Sequence, residues 1–577
     1  MTQLYIDSKE VKLPDEFELE LITENPYFTR VGSYTYEIDI DLRDPINRDI
    51  YRNIYRADVT QRIQNRKAVL ISGASITISG IEVILSIDSY TAKIQIIAGN
   101  SQLNYEGGES SIRTIRFDRV SYMPENAIET LKGTYPQYDV TYPPVISFID
   151  KDGNSSILNN VEVGEDITFL RINNIGPQYY LLYYLENLLQ KLGFTKGVNE
   201  LENNPTWCRI FVVNPYKDVS PEELLPDWTI NEFIEKIEMF FKCIITIDRT
   251  NGVYNIFNMD RYFENSSIIY IDDIVDDDIE KVYDTETSYS YAYDNVSYNL
   301  PSDNFYNYLK LKEGVREVCT IETKDTYSDF KFDYEKYYAG PYLLTSADFN
   351  LEYVVSDYVV TGSEENVKGL KIVDRLKDAG ELSSQNKTSF DIIPAEVAEI
   401  SIYSTTGSRY LIGPAVKRVR SGAESQAIND LINGSTDVKG DIPDKIYIGL
   451  YYGVCEALNR GPGEYPGEYW DKMPMSSYDR YFMSTPSSAS SSQSILTMPD
   501  YTLALEGENG LFNTVYKDKR EIDTTVEYHF HFLVQKIFDT NGIFLIRNKK
   551  YYCKEIHYKI SSKGLDKMAE GIFYLAE

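Results

Sequence analysis

The three histidines of the chain form the first pattern whose residue types could do chemistry. His529 and His531 alternate with phenylalanine in EYHFHFLV, so both imidazoles would lie on one face of a strand, and His557 follows in a nearby predicted strand. Three histidines are a ligand set that can bind zinc. Because no cysteine or carboxylate stands at metal-motif spacing beside them, we interpret them as half-buried strand residues.

Two acidic segments contain the oxygen ligands that calcium prefers. The run IDDIVDDDIEKVYD lacks the residue order of an EF-hand, and DKDGNSS, residues 150–156, has its glycine too early for such a loop. We interpret the first run as a solvated acidic connector between domains and the second as a β-turn. The clustered aspartates of the first run are Asp272, Asp273, Asp276, Asp277 and Asp278.

Motifs of common enzyme classes are absent from the sequence. GPGEYPG, residues 461–467, follows no clean strand and has a proline where a nucleotide-binding helix should begin. The sequence has no P-loop, no H-E-x-x-H and no G-x-S-x-G. A carboxylate pair for sugar hydrolysis stays open among the 89 acidic residues, but nothing singles out two of them. The sequence therefore nominates no catalytic residue, no cofactor and no metal ligand.

Charge and aromatic content narrow the classes of partner. The formal net charge of −32 argues against a protein that grips nucleic acid or an anionic membrane, since such binding needs clustered lysine and arginine. It allows a surface past which DNA slides without sticking. The 50 tyrosines among 577 residues suit protein–protein interfaces, or simply reflect a β-rich composition.

The cysteines and the N-terminus bear on the compartment. The cysteines are odd in number, widely spaced and without a C-x-x-C motif, so we expect neither a disulfide framework nor a metal cluster. The N-terminus lacks a signal peptide, and no run approaches the roughly 18 apolar residues of a membrane span. We expect the chain to fold in a reducing cytoplasm. The cysteines are Cys208, Cys243, Cys319, Cys455 and Cys553.

The clearest local signals stand between residues 228 and 258. Thr229 and Glu232 form a capping box, and apolar residues then recur at helical spacing. A β-branched run follows, and Asn251-Gly252 is the dipeptide of a two-residue hairpin turn. This segment is predicted to be a helix packed on a hairpin. Asn541-Gly542 in FDTNGIFLIRN predicts a second hairpin, whose likeness to the first we ascribe to convergent turn chemistry.

Other patterns predict strands and shorter helices. SYTYEIDIDL alternates throughout, so its residues from Tyr34 to Leu42 should form one strand with the tyrosines and aliphatic residues on one face. Asp44-Pro45 should open a short helix with Ile46 on its apolar side. Pro177 should begin a leucine-striped helix at its first position.

These patterns predict a mainly β, multidomain chain with an α+β insertion: small β-barrel or sandwich domains around a helix–hairpin module. The N-terminal barrel or sandwich is predicted at 1–155, the α+β domain at 156–280 and a second barrel-like domain at 281–440. The C-terminal β-rich domain, 441–577, includes a Ser/Gly/Pro-rich loop at 460–494 in which we expect no regular element.

Three segments resemble uncharacterised tail-module proteins of phages and prophages of gut anaerobes. They are the run from LYIDSKEV to INRDIY (residues 4–51), AGNSQLNY (Ala98–Tyr105) and RNKKYYCKEIHYKI…GIFY (residues 547–574). More loosely, the domain order resembles the tail-hub, or baseplate-hub, family, whose members place barrel-like β domains around an α+β insertion. The helix–hairpin at 228–258 is similar to the one that recurs in that insertion.

The resemblance implies a structural virion protein of the tail tip, foremost the hub that closes the tail tube and anchors other tip or baseplate proteins. Such a protein is assembled in the host cytoplasm and used in genome ejection and host entry. It implies a homotrimer, because two similar β domains per chain would give three copies a pseudo-six-fold ring that docks on a six-fold tail. Its partners would be other tail-tip, tail-tube or baseplate proteins, with DNA passing an acidic bore. The alternatives are a peripheral receptor- or glycan-binding tail protein and a tail-associated cell-wall hydrolase; neither has a motif here, so we expect no enzyme.

Overall fold

Strands are the predominant regular element of the described structure, as the alternating and β-branched runs predict. The glycine-rich run 461–467 and Asp276–Asp278 lie outside the described residues. The structure is a computed structural model, which describes residues 2–59, 65–73, 75–108, 110–120, 123–148, 155–163, 167–264, 266–275, 280–283, 295–300, 320–324, 342–346, 351–355, 371–374, 387–404, 407–417, 442–458, 469–478, 501–505, 509–517 and 522–576.

All α-helices of the described residues lie in the first half of the chain, and none of them has the length and apolar character to cross a membrane. The elements of this half are β1 (Thr2–Ile6), β2 (Lys9–Val11), β3 (Glu18–Glu24), α1 (Pro26–Thr29), β4 (Ser33–Thr35), β5 (Ile38–Asp41), α2 (Pro45–Tyr51), β6 (Arg66–Ser72), β7 (Ser75–Ile87), β8 (Thr91–Ala98), α3 (Asn100–Gly107), α4 (Pro124–Thr130), β9 (Val140–Thr141), β10 (Val145–Phe148), β11 (Ser155–Leu158), β12 (Val161–Val163), β13 (Ile167–Phe169), β14 (Gln178–Tyr179), α5 (Leu181–Lys191), β15 (Thr195–Asn199), β16 (Ile210–Val212), α6 (Ile230–Phe241), β17 (Cys243–Ile247), β18 (Val253–Asn258), β19 (Ile268–Ile271) and β20 (Glu280–Tyr283).

In the second half of the chain, the described residues form strands and one short π-helix, Phe512–Tyr516. The strands are β21 (Asn295–Tyr298), β22 (Thr320–Lys324), β23 (Tyr342–Ser346), β24 (Leu351–Val355), β25 (Lys371–Asp374), β26 (Lys387–Phe390), β27 (Ile392–Pro394), β28 (Glu396–Ser404), β29 (Gly407–Lys417), β30 (Ile446–Leu458), β31 (Tyr469–Ser477), β32 (Val526–Leu533), β33 (Ile543–Ile546), β34 (Lys549–Ser561) and β35 (Gly564–Leu575).

The two ends of the chain form one sheet of 14 strands, the large sheet. Its order is β2-β1-β6-β7-β8-β4-β3-β34-β35-β32-β20; β5 pairs with β8, and β33 joins β19 to β34. The pairing of β3 with β34 places Leu21 opposite Tyr558. Among the described strands the pairings run as an open path and close no barrel. Strands of the first and last predicted domains thus share a sheet, while the domain boundaries themselves remain a prediction.

One face of the large sheet covers a hydrophobic core to which both chain ends contribute. Burial of this apolar surface is the main free-energy gain that holds the ends together. Its fully buried members include Leu4, Leu21, Ile40, Leu70, Phe532, Phe544, Tyr558 and Phe573.

The middle of the chain forms the predicted α+β module. Helix α5 contacts β15 and β16, and α6 contacts β17, so both helices pack on short sheets. The leucine stripe of α5 is buried as the periodicity predicts, with Leu181, Leu185 and Leu188 fully inaccessible. Strands β15, β18 and β17 form one sheet, and β16, β30, β27 and β31 form another.

The run SYTYEIDIDL is not one strand, contrary to our prediction. It divides into β4 and β5, because the step from Tyr34 to Ile38 contains one residue more than the opposite step, from Ile97 to Ile94 on β8. The extra residue is a bulge that reverses which side chains face the core. Ile38 is buried as predicted, whereas Tyr36 is half exposed.

Two helix predictions also need correction. Asp44 caps α2 as predicted, and its carboxylate accepts a hydrogen bond from the Ile46 N–H. Ile46 itself is exposed, however, and Ile50 faces the core together with polar and aromatic neighbours. Helix α5 begins at Leu181 rather than Pro177, because the residues between them form β14, which pairs with β9.

The hairpin β17–β18 is confirmed, but its turn is longer than predicted. A hydrogen bond from Asp248 N–H to the Val253 carbonyl closes a loop of residues 249–252. The Asp248 carboxylate accepts hydrogen bonds from the N–H groups of Thr250 and Asn251, which stabilises the longer loop. Gly252 alone of the predicted dipeptide has positive φ.

The second Asn-Gly dipeptide, Asn541-Gly542, precedes β33 and is not the turn of a hairpin. The two-residue turn of this region is Arg547-Asn548, between β33 and β34, where both residues have positive φ. Composition also misled us at 460–494. Tyr469–Ser477 within it forms β31, which pairs with the long strand β30 and lies at a sheet edge among the described strands, where its proline is tolerated.

Candidate functional site

The three histidines lie on the outer face of the large sheet, where β32, β35 and β34 run side by side. His529 and His531 share one face of β32, as predicted, and the carboxylate of Glu570 lies 3.8 Å from a nitrogen of each. Glu570 is opposite His557 as well. Carboxylates thus separate the imidazoles. Within the described ranges, no group of three or more histidine, cysteine or carboxylate side chains could hold a metal ion.

His557 links β34 to β3. Its Nδ1 lies 2.8 Å from Glu20 Oε1 and its Nε2 lies 3.5 Å from Glu555 Oε1. These carboxylates, Glu555 foremost, raise the pKa of His557 to about 9 against the opposing effect of burial. The imidazole is therefore a cation at neutral pH, and its role here is an ion pair across the junction of the chain ends.

Only a few residues of the two acidic runs lie among the described residues. Asp272 and Asp273 follow β19, and their side chains are exposed, as a solvated acidic segment requires. Of the run 150–156, only Ser155 and Ser156 lie among the described residues, and both belong to β11.

A buried carboxylate network that the sequence did not reveal lies beneath α5. Glu186 accepts hydrogen bonds from Tyr135 Oη at 2.6 Å, Lys196 Nζ at 2.8 Å and Asn199 Nδ2 at 2.5 Å. Lys196 also contacts Glu202, whose pKa is raised by burial. Both oxygens of Glu186 are occupied, so the network holds α5 against β15. No local pattern announces it, because folding alone brings Tyr135 to Glu186.

A second polar network holds the helix–hairpin to the large sheet; we call it the joint, and its central residues are Asn25, Arg30, Asn100, Asn104 and Glu238. Asn100 Nδ2 donates to the Ile245 carbonyl at 2.6 Å, and its Oδ1 accepts from the Ile247 N–H at 2.9 Å. The Asn100 side chain thus makes hydrogen bonds with the β17 backbone that a neighbouring strand would otherwise make.

The glycine before Asn100 allows this part of the backbone to lie close to β17. Gly99 has φ +63°, and a Cβ there would lie 2.8 Å from the Ile247 carbonyl oxygen. Further along α3, Asn104 Nδ2 donates to the Arg30 carbonyl, and Asn231 Nδ2 donates to the Asn104 carbonyl, each at 2.8 Å. Helix α3 therefore bonds to both α1 and α6.

An ion cluster completes this side of the joint. Arg30 lies 2.8 Å from Glu235 and 3.7 Å from Glu238. Glu238 is buried and accepts a hydrogen bond from the Ile245 N–H at 2.9 Å. Burial raises the pKa of Glu238 to about 7, although Arg30 and the hydrogen bond oppose the shift.

Asn25 joins the two chain ends to this cluster. Its Nδ2 donates to the carbonyls of Thr540 and Cys553, both at 3.0 Å, while its Oδ1 accepts from the Tyr27 N–H and caps α1. Tyr262 stacks on Tyr27 with ring centroids 5.3 Å apart. These rings belong to a small aromatic core that includes Phe28, Phe263, Tyr552 and Tyr574.

No protein-family profile matches the chain, and no curated protein sequence does. Among solved structures, the chain is similar to the 43 kDa tail protein of prophage MuSo2 from Shewanella oneidensis, at 7% identity and TM-score 0.32, with 100% of this chain and 96% of that chain covered. It is also similar to a tail protein from Neisseria meningitidis MC58, at 6% identity and TM-score 0.28, with 100% of this chain and 96% of that chain covered. The Francisella PdpA–VgrG complex is similar at 10% identity and TM-score 0.22, with 100% of this chain and 88% of that chain covered. TM-scores this low do not establish a shared fold.

Asn25, Asn100 and Glu238 of the joint are buried, and each is hydrogen-bonded to backbone groups, so these side chains hold structure together. The three cysteines whose side chains are described, Cys208, Cys243 and Cys553, are buried, and burial raises the pKa of each thiol, which disfavours nucleophilic chemistry. What this arrangement can do is hold two folded units at a defined angle.

Proposed function

We propose that this chain is a structural protein of a phage-type tail, and more specifically the hub that closes the tail tube and anchors neighbouring tip proteins. The proposal draws on the sequence resemblance, on the strongly acidic composition and on the absence of enzyme motifs from the sequence. The superpositions are too loose to add weight.

The observation that carries the proposal is the convergence of the resembling segments at the joint. Asn25 and Arg30 belong to the N-terminal run, Asn100 and Asn104 to AGNSQLNY, and Cys553 to the C-terminal run. The hairpin they contact belongs to the helix–hairpin segment. Segments far apart in sequence thus form one connection of hydrogen bonds and ion pairs, and we propose that it is rigid, as a protein that works by geometry requires.

A rigid connection has a physical use in a ring. Copies arranged about an axis close only if each presents its contact surfaces at a fixed angle, and a hinge within the subunit would spread that angle. We propose a homotrimer coaxial with the tail tube. Its tip, tube or baseplate partners would bind outer surfaces, and acidic side chains lining the bore would keep DNA phosphates from adhering.

Electron microscopy of purified tails containing this chain tests the proposal. Three copies coaxial with the tube, with an acidic lumen, are the expected result. Copies only at the periphery would point instead to a receptor-binding protein, and a six-fold or asymmetric location would also overturn the hub assignment. Turnover of peptidoglycan or capsule by the full-length chain would overturn the structural role itself.

A further inference from the structure

An exposed strip crosses the outer face of the large sheet near its β20 edge. The register places Leu533 on β32 directly opposite Met568 on β35, and His531 directly opposite Glu570 in the next pair. The segment after β19 extends both rows, since the Leu533 N–H donates to the Asp273 carbonyl and the Val275 N–H donates to the His531 carbonyl. We define the outer strip as Asp273, Val275, His531, Leu533, Met568 and Glu570.

The outer strip combines apolar and acidic groups that solvent reaches. Val275 is 50% exposed, Leu533 49% and Met568 43%. Their neighbours in the rows, Asp273 and Glu570, carry carboxylates, and the Glu570 side chain is 44% exposed. Adjacent apolar side chains left in water on neighbouring strands are characteristic of a contact surface.

Charge selects the kind of partner. Carboxylates surround these apolar side chains: the exposed Asp272 and Asp273 precede Val275, Glu280 lies opposite His529 on β32, and Glu570 lies opposite His531. Nucleic acid would be repelled by these carboxylates, and so would the same strip of a second copy. A protein segment that carries lysine or arginine beside apolar side chains is complementary to both features of the strip.

We propose that the outer strip docks a basic, apolar segment of another protein. The proposal rests on the proposed function only in taking that protein to be a tail component. The apolar side chains would be covered by aliphatic groups of the partner, while its cations would pair with Asp273 and Glu570.

Binding of a fluorescent peptide of alternating lysine and leucine to the full-length chain tests this inference. Removing both apolar groups with Leu533→Ser and Met568→Ser should weaken binding about tenfold, measured by fluorescence anisotropy at physiological salt. The matched control, Ile46→Ser with Ile172→Ser, removes two side chains that are 54% and 67% exposed elsewhere and should leave the affinity unchanged.

The charged part of the outer strip has its own pair of variants. Asp273→Asn with Glu570→Gln should weaken peptide binding several-fold, whereas Asp15→Asn with Glu16→Gln, on an exposed turn, should have little effect. Equal weakening by all four double variants would show non-specific attraction to an acidic protein and overturn the proposal. Tighter binding of a glutamate–leucine peptide or of duplex DNA would overturn it too.

A second copy of this chain is the remaining alternative partner for the outer strip. If sedimentation equilibrium shows that the strip variants lose self-association, the strip is a contact between copies and the proposal is wrong. Unchanged self-association together with weakened peptide binding supports it. Copy number and position in the tail are measured independently, so failure of the docking proposal and failure of the hub proposal give different results.

Discussion

The helix–hairpin and the large sheet reach their structures by different routes. In the helix–hairpin, Thr229 and Glu232 cap α6 as the sequence predicts, and β17 pairs with β18 a few residues away. In the large sheet, β3 pairs with β34 from the opposite end of the chain. The first unit is specified by neighbours in sequence, whereas the second depends on pairings between strands from opposite ends of the chain.

The difference lies in how much chain entropy each pairing costs. Closing a short hairpin loop costs little, and a capping box acts within one turn of helix. Joining the chain ends closes a far longer loop, whose larger entropy cost comes before the contact brings any gain, and a large shared core offsets that cost. The buried residues of the large sheet supply that core from both ends.

Phe573→Ala offers the largest test of this contrast. The ring is fully buried against Phe530, Phe532, Phe544 and Tyr551, and its removal should lower the free energy of unfolding by about 3–5 kcal/mol. Hydrogen exchange should accelerate in the N-terminal strands as well, because they share the core. Exchange that accelerates only beyond residue 522 would show that the N-terminal strands fold on their own.

The effect of pH tests the connection between the two regions. The folded pKa of Glu238, about 7, exceeds its ordinary value of 4.5, so the folded protein holds this proton more tightly. The resulting stabilisation is complete below the lower value and is lost as pH rises through the higher one, a loss on the order of 3 kcal/mol. Urea unfolding across this range should show the slope in the parent.

The two glutamates changed in the matched variants, Glu238 and Glu235, differ in burial. Glu238→Gln keeps an oxygen acceptor for the Ile245 N–H but cannot ionise, so it should remove the contribution of Glu238 and make the slope shallower. Glu235 also contacts Arg30 but is half exposed, and Glu235→Gln should leave the slope as it is in the parent. A slope that is the same in Glu238→Gln as in the parent would refute the assignment of this titration to the joint.

Asn100→Ala should weaken the contact between the helix–hairpin and the large sheet and leave the structure of each unchanged. It leaves the Ile247 N–H and the Ile245 carbonyl without their side-chain partner, at a cost of about 1–3 kcal/mol in unfolding free energy. Asn187→Ala, which removes a hydrogen bond at the exposed surface, is the control and should cost less than about 0.5 kcal/mol. Equal costs would mean that the buried amide does not hold the helix–hairpin in place.

Thr229→Ala should have the smallest effect and the most local one. Loss of the side-chain acceptor for the Glu232 N–H should cost about 1 kcal/mol, with faster hydrogen exchange confined to the first turn of α6. Thr229→Ser retains the acceptor and should remain within a few tenths of a kcal/mol of the parent. Exchange that spread into the large sheet would erase the contrast between the two regions.

Sequence patterns predicted the kinds of element better than their details. The capped helix, its hairpin and the buried leucine stripe of α5 agree with the structure, because each depends on residues within a few positions of one another. Turn geometry was less predictable: Asp248 redirected the first hairpin loop by side-chain hydrogen bonds, and Arg547-Asn548 formed the turn that glycine was expected to form. The bulge near Tyr36 arises from pairing with β8, which local alternation does not encode.

By itself, then, the sequence determined the mainly β class, the helix–hairpin and the acidic surface, since composition and short-range periodicity act through neighbouring residues. Tertiary structure alone decided that β3 meets β34, that Asn100 completes β17 and that Glu186 is enclosed by donors. Those contacts join residues that are distant along the chain, and only the packing of a shared core brings them within hydrogen-bonding distance.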